Sequence, residues 1–330
     1  MMKLKKVIGQ EAAKIDQLMR EDISELEADG YDPLLTEILD YALLSGGKRV
    51  RPLLVVLSAR ICGCDDDGVY RLAAAFEYLH AATLIHDDVI DNAGERRGTA
   101  SVYRKYGLAS AILTGDFLHA FSMERVSRYG GATALGIFCR ATSGMVDGEY
   151  HQLRNAANRD QSEDDYFSVI MGKTALLIGA ACEIGTIYGG GDELCREGLK
   201  TYGIKLGCAF QIIDDLLDYQ GDPKRTGKQL GNDLAEGKLT LPLIYALQRA
   251  DVTDRARLLS ILSDEEQRRQ QVAEVSSLIE TYNGFSDARL KAEEMGEQAV
   301  RALPDIDGEA IPPEQQVLLD LCSYVLNRDK

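Results

Sequence analysis

Apolar positions fall at helical intervals along most of the chain. Leu72, Ala75, Phe76, Leu79, Ala82 and Thr83 recur at steps of three and four residues, the spacing that gathers side chains on one face of a helix. Alternating apolar and polar runs bounded by turn pairs, the mark of strands, are scarce. The prolines sit at positions 33, 52, 223, 242, 304, 312 and 313, and none falls between Pro52 and Pro223. Proline breaks helix interiors, so a gap this long favours helices. Breaks are expected at Gly30, Gly46-Gly47, Gly63, Gly94, Gly130-Gly131, Gly189-Gly190-Gly191, Gly221, Asn283-Gly284 and Pro312-Pro313. The pattern predicts an all-α chain of about a dozen helices. With no short repeat, low-complexity tract or Pro/Ser-rich linker, residues 1–330 are expected to form one large domain. From about Asp251 onward the chain is charge-laced and amphipathic, as outer helices packed by one face should be.

Composition narrows the partners. The 330 residues are 45% hydrophobic, enough for a sizeable core, and carry a net charge of −16. An acidic surface argues against nucleic acid, which needs cations to displace its counterions. It leaves room for small phosphorylated ligands held by metal. The seven cysteines include no C-x-x-C pair, so neither zinc spacing nor a disulfide framework is expected, and free thiols in a reducing cytoplasm fit best. The N-terminus turns charged before an apolar run can form, unlike a secretory signal. Leu53–Cys64, taken as the most apolar stretch, is cut by Arg60 and too short to span a bilayer. Membrane contact is expected to be peripheral at most.

Two segments carry D-D-x-x-D. One is Asp87-Asp88-Val89-Ile90-Asp91, the other Asp214-Asp215-Leu216-Leu217-Asp218. On a helix, i and i+4 share a face, so Asp87 points with Asp91 and Asp214 with Asp218. Each trio is set in apolar sequence, where ionised carboxylates are costly unless paired or metal-bound. A single copy would equally suit a solvated acidic helix face. Two copies beside basic motifs point to a hard cation such as Mg²⁺, shared with phosphate oxygens. The di-iron alternative needs two Glu-x-x-His motifs in a bundle. Glu77-Tyr78-Leu79-His80 is one, and the histidines at 80, 86, 119 and 151 supply no second.

The basic counterparts are spread along the chain. Gly46-Gly47-Lys48-Arg49-Val50-Arg51-Pro52 sets three cations beside glycines at a helix start, the makings of an anion site or, alone, of an ordinary basic loop. Arg96-Arg97-Gly98 follows the first aspartate motif. Arginine can hold phosphate in two-pronged fashion. Gly172-Lys173-Thr174 interrupts an apolar helix, and Lys228 and Lys238 flank Gly231-Asn232-Asp233-Leu234. Lysines near a metal-bound diphosphate would stabilise it as a leaving group.

Together, GGKRVRP, EYLHAATLIHDDVID, ERRG, GDFLHA, MGKTA, FQIIDDLLDYQGD and GKQLGNDLAEGKLTLPL strongly resemble the trans-polyprenyl diphosphate synthases, from about residue 40 to the C-terminal tail. Within that family the chain looks most like bacterial octaprenyl diphosphate synthases, which make quinone side chains. The resemblance implies a helical bundle of isoprenoid-synthase type around a central cavity, a homodimer, and a head-to-tail joining of isopentenyl diphosphate to an allylic diphosphate. It implies that Asp87, Asp88 and Asp91 bind two Mg²⁺ on the allylic diphosphate, and that Asp214, with Asp215 and Asp218 nearby, binds another, about three in all. It assigns Lys48, Arg51, His80 and Arg97 to isopentenyl diphosphate. Arg96, Lys173, Thr174, Gln211, Lys228 and Lys238 go to the allylic diphosphate. Where the family often has a Glu-Gly-Glu segment, this chain has Asp147-Gly148-Glu149-Tyr150-His151-Gln152, and a histidine there would sit beside the product tunnel.

The implied chemistry is departure of the allylic diphosphate, attack on the resulting cation by the isopentenyl double bond, and proton loss to the departed diphosphate. A dry apolar cavity must shield the cation. Length of product can be argued from the helix before Asp87. One turn rises roughly 5.4 Å, about one isoprene unit. Ala82 and Thr83, one turn back, are small, and the path is expected to be open at least to Leu79 and Phe76. That reading gives products of roughly C30 to C45, with C40 favoured. The alternative is that Ala82 and Thr83 merely pack against a neighbouring helix and a geranylgeranyl or farnesylgeranyl product results. Two further rivals are a class I terpene cyclase, which lacks the basic GGKRVRP site, and an inactive partner subunit, which would be expected to lose aspartates or lysines.

Overall fold

The computed structural model describes residues 2–96, 98–156, 161–221, 230–305 and 311–328. The expected all-helical character holds. The strands among the described residues are Glu95–Arg96 (β1) and Thr99–Ala100 (β2), an antiparallel hairpin of two residues each. Sixteen α-helices are described, more than a dozen. The excess comes from short helices such as Val102–Tyr106, Asn232–Ala235 and Glu265–Gln270, too brief to leave a periodic signature.

The helices group into two compact units, each built from separated stretches of chain. The first comprises Met1–Arg140, Ala180–Leu199 and Pro304–Leu318, the second Ala141–Gly179, Lys200–Leu303 and Leu319–Lys330.

In the first unit, α1 (Met2–Ala28), α2 (Pro33–Leu43), α3 (Val50–Ile61), α4 (Val69–Ile90), α5 (Val102–Tyr106) and the start of α6 (Leu108–Ala156) follow in order. Asp32 caps α2 by accepting the Leu34 N–H, with Pro33 supplying a preset first turn. The eight residues Pro52–Ala59 of α3 are all buried, and α4 is buried on nearly every side. Helices apolar all round belong in a core. Phe76 of α4 meets Phe138 of α6 edge-on at 5.1 Å, a contact worth about 1 kcal/mol beyond its area. The break expected at Gly130-Gly131 is present as a kink within α6: two helical segments meet at Gly131, whose φ of 75° and ψ of −175° are non-helical and which only glycine adopts readily.

The second unit takes the end of α6, α7 (Glu163–Ile170), a π-helical turn (Met171–Ala175), the start of α8 (Leu176–Tyr188) and most of α9 (Glu193–Gln220). There follow α10 (Asn232–Ala235), α11 (Leu241–Arg249), α12 (Val252–Ser263), α13 (Glu265–Gln270), α14 (Val272–Thr281), α15 (Gly284–Ala302) and the end of α16 (Pro313–Leu326). A reciprocal cap between Ser162 and Asp165 starts α7. From Asp251 on, each longer helix buries one stripe: Leu258, Ile261 and Leu262 on α12, Val275 and Ile279 on α14, and Ala288, Ala292, Met295 and Ala299 on α15. The one-face packing expected there is what the structure has.

Among the described residues, Glu163–Tyr188 is the one helical stretch long and apolar enough to cross a membrane, with a mean hydropathy of 1.6 in its most apolar window. It outruns Leu53–Cys64, and 67% of that window is buried, as in a core helix.

Candidate active site

In the first unit the aspartate motif lies where α4 ends. Asp87 and Asp88 are in its final turn, and Asp91 caps it with its N–H on the Asp87 carbonyl at 2.8 Å. A helix C-terminus carries the negative end of the helix dipole, so carboxylates there are disfavoured and a cation is welcome. Asp88 is 2% exposed and turned onto Arg96 of β1. The guanidinium forks over it, Nε at 2.9 Å from both oxygens and Nη2 at 2.7 Å from Oδ1. Asp87 is half-buried and Asp91 exposed.

The GGKRVRP segment divides its cations between tasks. Gly46 and Gly47 have φ of 91° and 153°, and Arg49 itself is left-handed, with φ of 48°. A non-glycine residue rarely sits there without support. Arg49 is held by Glu77 at 2.6 Å, Asp16 at 2.8 Å and the Leu43 carbonyl at 2.5 Å. It is therefore a structural tie, and Glu77 is its counter-ion, which further weakens the di-iron reading. Arg51 differs. Its Nε is sealed with no hydrogen-bond partner, and burial pushes its guanidinium down despite the opposing pull of Glu77. A cation so placed suits an anionic ligand. Lys48 is exposed and His80 half-buried. His80 lines a small cleft, about 50 Å³, with Tyr41, Ser45, Arg49, Asp88 and Arg96. GDFLHA also acquires a reason: His86 packs on Gly115, where a Cβ would fall 2.2 Å from its Nε2, and it lies 3.6 Å from Asp116.

Along α4, Phe76, Leu79 and Ala82 are buried at 0%, 1% and 2% exposure. Thr83 is half-buried and donates its hydroxyl back to the His80 carbonyl at 2.8 Å.

In the second unit the other motif occupies the last turns of α9. Asp214 is partly exposed, and Nη1 of Arg328 lies 3.3 Å from its Oδ1. Asp215 is buried and receives the Tyr166 hydroxyl at 2.7 Å and the Gln211 amide at 2.9 Å. Thr174 donates to Gln211 Oε1 at 3.1 Å, so Thr174, Gln211, Asp215 and Tyr166 form one chain of hydrogen bonds. Burial holds the Asp215 carboxyl well above the usual range, and the nearby charge of Asp233 adds to the effect. Asp233 is raised too, first by burial, with Lys238 pulling the other way. Asp218 accepts the N–H groups of Asn232 and Asp233 at 3.2 and 3.1 Å, fixing the start of α10. Lys238 pairs with Glu236 at 2.6 Å.

Lys173 and Thr174 lie on the π-helical turn, a feature that often marks functional positions. The turn sits tightly on α6. A Cβ on Gly172 would fall 2.7 Å from the Gly144 carbonyl, and one on Gly148 2.9 Å from the Lys173 N–H nitrogen. That approach brings Lys173 Nζ to 2.6 Å from Glu149 and 2.9 Å from Gln152. His151 is bracketed by Asp147 at 3.3 Å and Arg154 at 2.8 Å on its own helix. Arg97 and Lys228, both expected to touch substrate, lie outside the described residues.

No three His, Cys, Asp or Glu side chains among the described residues converge as a ready-made metal cage. Asp88 and Asp215 are buried against protein donors, Asp87, Asp214 and Asp218 are half-buried, and Asp91 is exposed. That donor set still fits Mg²⁺, which takes one or two carboxylates and keeps water and phosphate oxygens for the rest. Sequence reasoning missed Tyr166, Asp233, Arg328 and Glu149. Glu149 and Asp233 stand inside segments already singled out, whereas nothing local marks Tyr166 or Arg328.

Aspartate trios at two helix ends, one gripped by Arg96 and the other near Arg328 and Lys238, in an all-helical chain, suit the joining of isoprenoid diphosphates. The polyprenyl synthetase family model matches residues 32–279. Octaprenyl diphosphate synthase of Escherichia coli is 34% identical, over 96% of this chain and 99% of that one. A polyprenyl synthase from Caulobacter crescentus, crystallised with calcium and isoprenyl diphosphate, superposes with a TM-score of 0.88 at 32% identity, covering 99% of this chain and 97% of that one. A decaprenyl diphosphate synthase from Rhodobacter capsulatus does so at 0.89 and 35%, covering 99% of each. The chain belongs to the polyprenyl synthetase family and is a trans-prenyl diphosphate synthase, a prenyltransferase. Products named for its relatives range from geranylgeranyl to decaprenyl diphosphate.

Proposed function

We propose that this prenyltransferase adds isopentenyl diphosphate repeatedly to farnesyl or geranylgeranyl diphosphate and releases a long product for quinone side chains, roughly C30 to C45 with C40 favoured. The observation that carries the length is the pair of small residues one turn before Asp87. Ala82 and Thr83 put small side chains at the level where, in this reading, a bulky one would stop the growing chain. A shorter product has one observation in its favour: Phe76 is pinned edge-on by Phe138, which could set a floor two turns further back.

In this reading Asp87, Asp88 and Asp91 hold Mg²⁺ on the allylic diphosphate and Asp214, with Asp215 and Asp218 nearby, holds another, while the buried Asp88 and Asp215 also fix the helix ends that carry the motifs. When bound, the ions act as Lewis acids on the diphosphate and steady its developing charge. Lys48, Arg51 and His80 bind isopentenyl diphosphate. Arg96, Lys173, Thr174, Gln211 and Lys238 serve the allylic diphosphate, directly or through the aspartates they touch. The apolar side chains of α4 keep water from the allylic cation. The departed diphosphate takes the proton released in bond formation. The calcium and isoprenyl diphosphate of the Caulobacter relative support this assignment by similarity. The reading also has the enzyme working as a cytoplasmic homodimer that meets the membrane only peripherally, which sedimentation and cell fractionation test.

The main experiment incubates the purified chain with labelled isopentenyl diphosphate, farnesyl diphosphate and Mg²⁺, then sizes the dephosphorylated products. A main band near C40 is expected, by similarity to the octaprenyl diphosphate synthases. A stop between C15 and C25 would keep the reaction and move the floor up to Leu79 or Phe76. No Mg²⁺-dependent incorporation would overturn the proposed metal chemistry.

A further inference from the structure

Cys62 and Cys195, both in the first unit, bring their sulfurs to 3.5 Å. They are 133 residues apart, so the fold and not the local chain makes this contact. Cys62 is the residue that closes α3. Cys195 is in the first turn of α9, its N–H bonded to Asp192 Oδ1 at 2.8 Å. The surroundings are rigid. Gly185 and Gly189 seat α8 on α3 so closely that a Cβ would fall 2.3 Å from the Val55 carbonyl and 2.5 Å from that of Ala59. A Cβ on Gly191 would lie 2.6 Å from Cys62 Sγ. Backbone-to-backbone packing thus fixes the end of α3 beside the start of α9, and both cysteines are only half-buried.

From this geometry we infer that Cys62 and Cys195 are a redox-active thiol pair, closed to an intrachain disulfide by a low-molecular-weight disulfide such as oxidised glutathione. One protein thiolate attacks a glutathione sulfur, forming a mixed disulfide and releasing one glutathione thiolate. The second protein thiolate then attacks the protein sulfur of that mixed disulfide, forming the Cys62–Cys195 bond and releasing the second glutathione. Two protein thiols are oxidised, one glutathione disulfide is reduced to two thiols, and the two protons pass to the departing glutathione thiolates. Burial raises both thiols, that of Cys62 up to about 12, so Cys195 attacks first. Cys62 then resolves the mixed disulfide by proximity, its sulfur 3.5 Å from that of Cys195. The bond closes a long loop, so it removes freedom from the unfolded chain and raises stability.

The test treats the full chain with oxidised glutathione at about pH 8.5, near the usual thiol range. The sample is quenched in acid, alkylated under denaturing conditions and mapped by mass spectrometry. Two of the seven thiols should escape alkylation, a Cys62 peptide should be joined to a Cys195 peptide, and Tm should rise by several degrees. Dithiothreitol should reverse all three. Cys64→Ser should change none of them, and Cys62→Ser should leave Cys195 carrying glutathione. A cross-link through Cys64, glutathione adducts that never resolve in the unaltered chain, or seven thiols still alkylatable would each overturn the pairing.

Discussion

At the end of α4 the buried middle aspartate, Asp88, is gripped by a cation. At the end of α9 its counterpart, Asp215, is gripped by a tyrosine hydroxyl and a glutamine amide. The same five-residue spelling is thus stabilised in two electrostatic ways. Around α4, arginines answer carboxylates throughout: Arg96 on Asp88, Arg49 on Glu77 and Asp16, Arg125 on Asp22. Around the end of α9 the buried Asp215 has neutral donors and the half-buried Asp233 has a lysine, and both hold their protons more readily than usual. The comparison teaches that the middle aspartate in each motif shapes its helix end. It also indicates that the second region leans more on outside cations for its charge balance.

Substitution can break that comparison at several levels. The largest effect is expected at the accessible carboxylates. Asp87→Ala should lower kcat/KM by roughly 10²–10³, as loss of an electrostatic stabiliser does, and Asp214→Ala should lower it less, because the Arg328 guanidinium 3.3 Å away already offsets part of its charge. Steady-state rates at saturating Mg²⁺ would measure both, and equal losses would erase the distinction.

Stability should separate the two settings next. Arg49→Met strands the buried Glu77 and should cost about 3 kcal/mol. Asp88→Asn leaves a partly exposed Arg96 and should cost about 2 kcal/mol. Asp215→Asn, which swaps a carboxylate for a neutral acceptor among neutral donors, should cost about 1 kcal/mol or less. Urea midpoints of the metal-free proteins give the order, and an Asp215→Asn loss matching that of Asp88→Asn would contradict it. Gly172→Ala should cost about 2 kcal/mol by forcing the π-helical turn off the Gly144 carbonyl, with lowered turnover because Lys173 moves with it.

The smallest effect concerns pH. Burial raises the Asp22 carboxyl above its ordinary 3.8, against the Tyr78 hydroxyl and the Arg125 and Arg71 guanidiniums that lower it. A carboxyl raised on folding contributes most below the unfolded value and loses that contribution as pH rises through the folded one. Asp22→Asn should therefore flatten the stability–pH curve just above pH 3.8, while adding a constant loss from the broken contact to Arg125. An unchanged slope in a urea titration across that window would show that Asp22 titrates as it does in the unfolded chain.

Much of this molecule was legible in one dimension. Helical spacing and the proline gap determined the all-α class, because a helix needs only local periodicity and unbroken backbone donors. Both aspartate motifs, GGKRVRP and MGKTA were legible for a related reason: charges and glycines are conspicuous inside apolar helices. Only the tertiary structure decided which of those charges are occupied. Arg49 and Arg51 look alike two residues apart, yet one is spent on Glu77, Asp16 and the Leu43 carbonyl while the other keeps a sealed, unpartnered Nε. Tyr166 lies 49 residues from Asp215 and Cys195 lies 133 from Cys62, and no local pattern announces either meeting. Periodicity is a property of neighbours along the chain, whereas pairing, burial and the proton affinities that follow from them belong to neighbours in space.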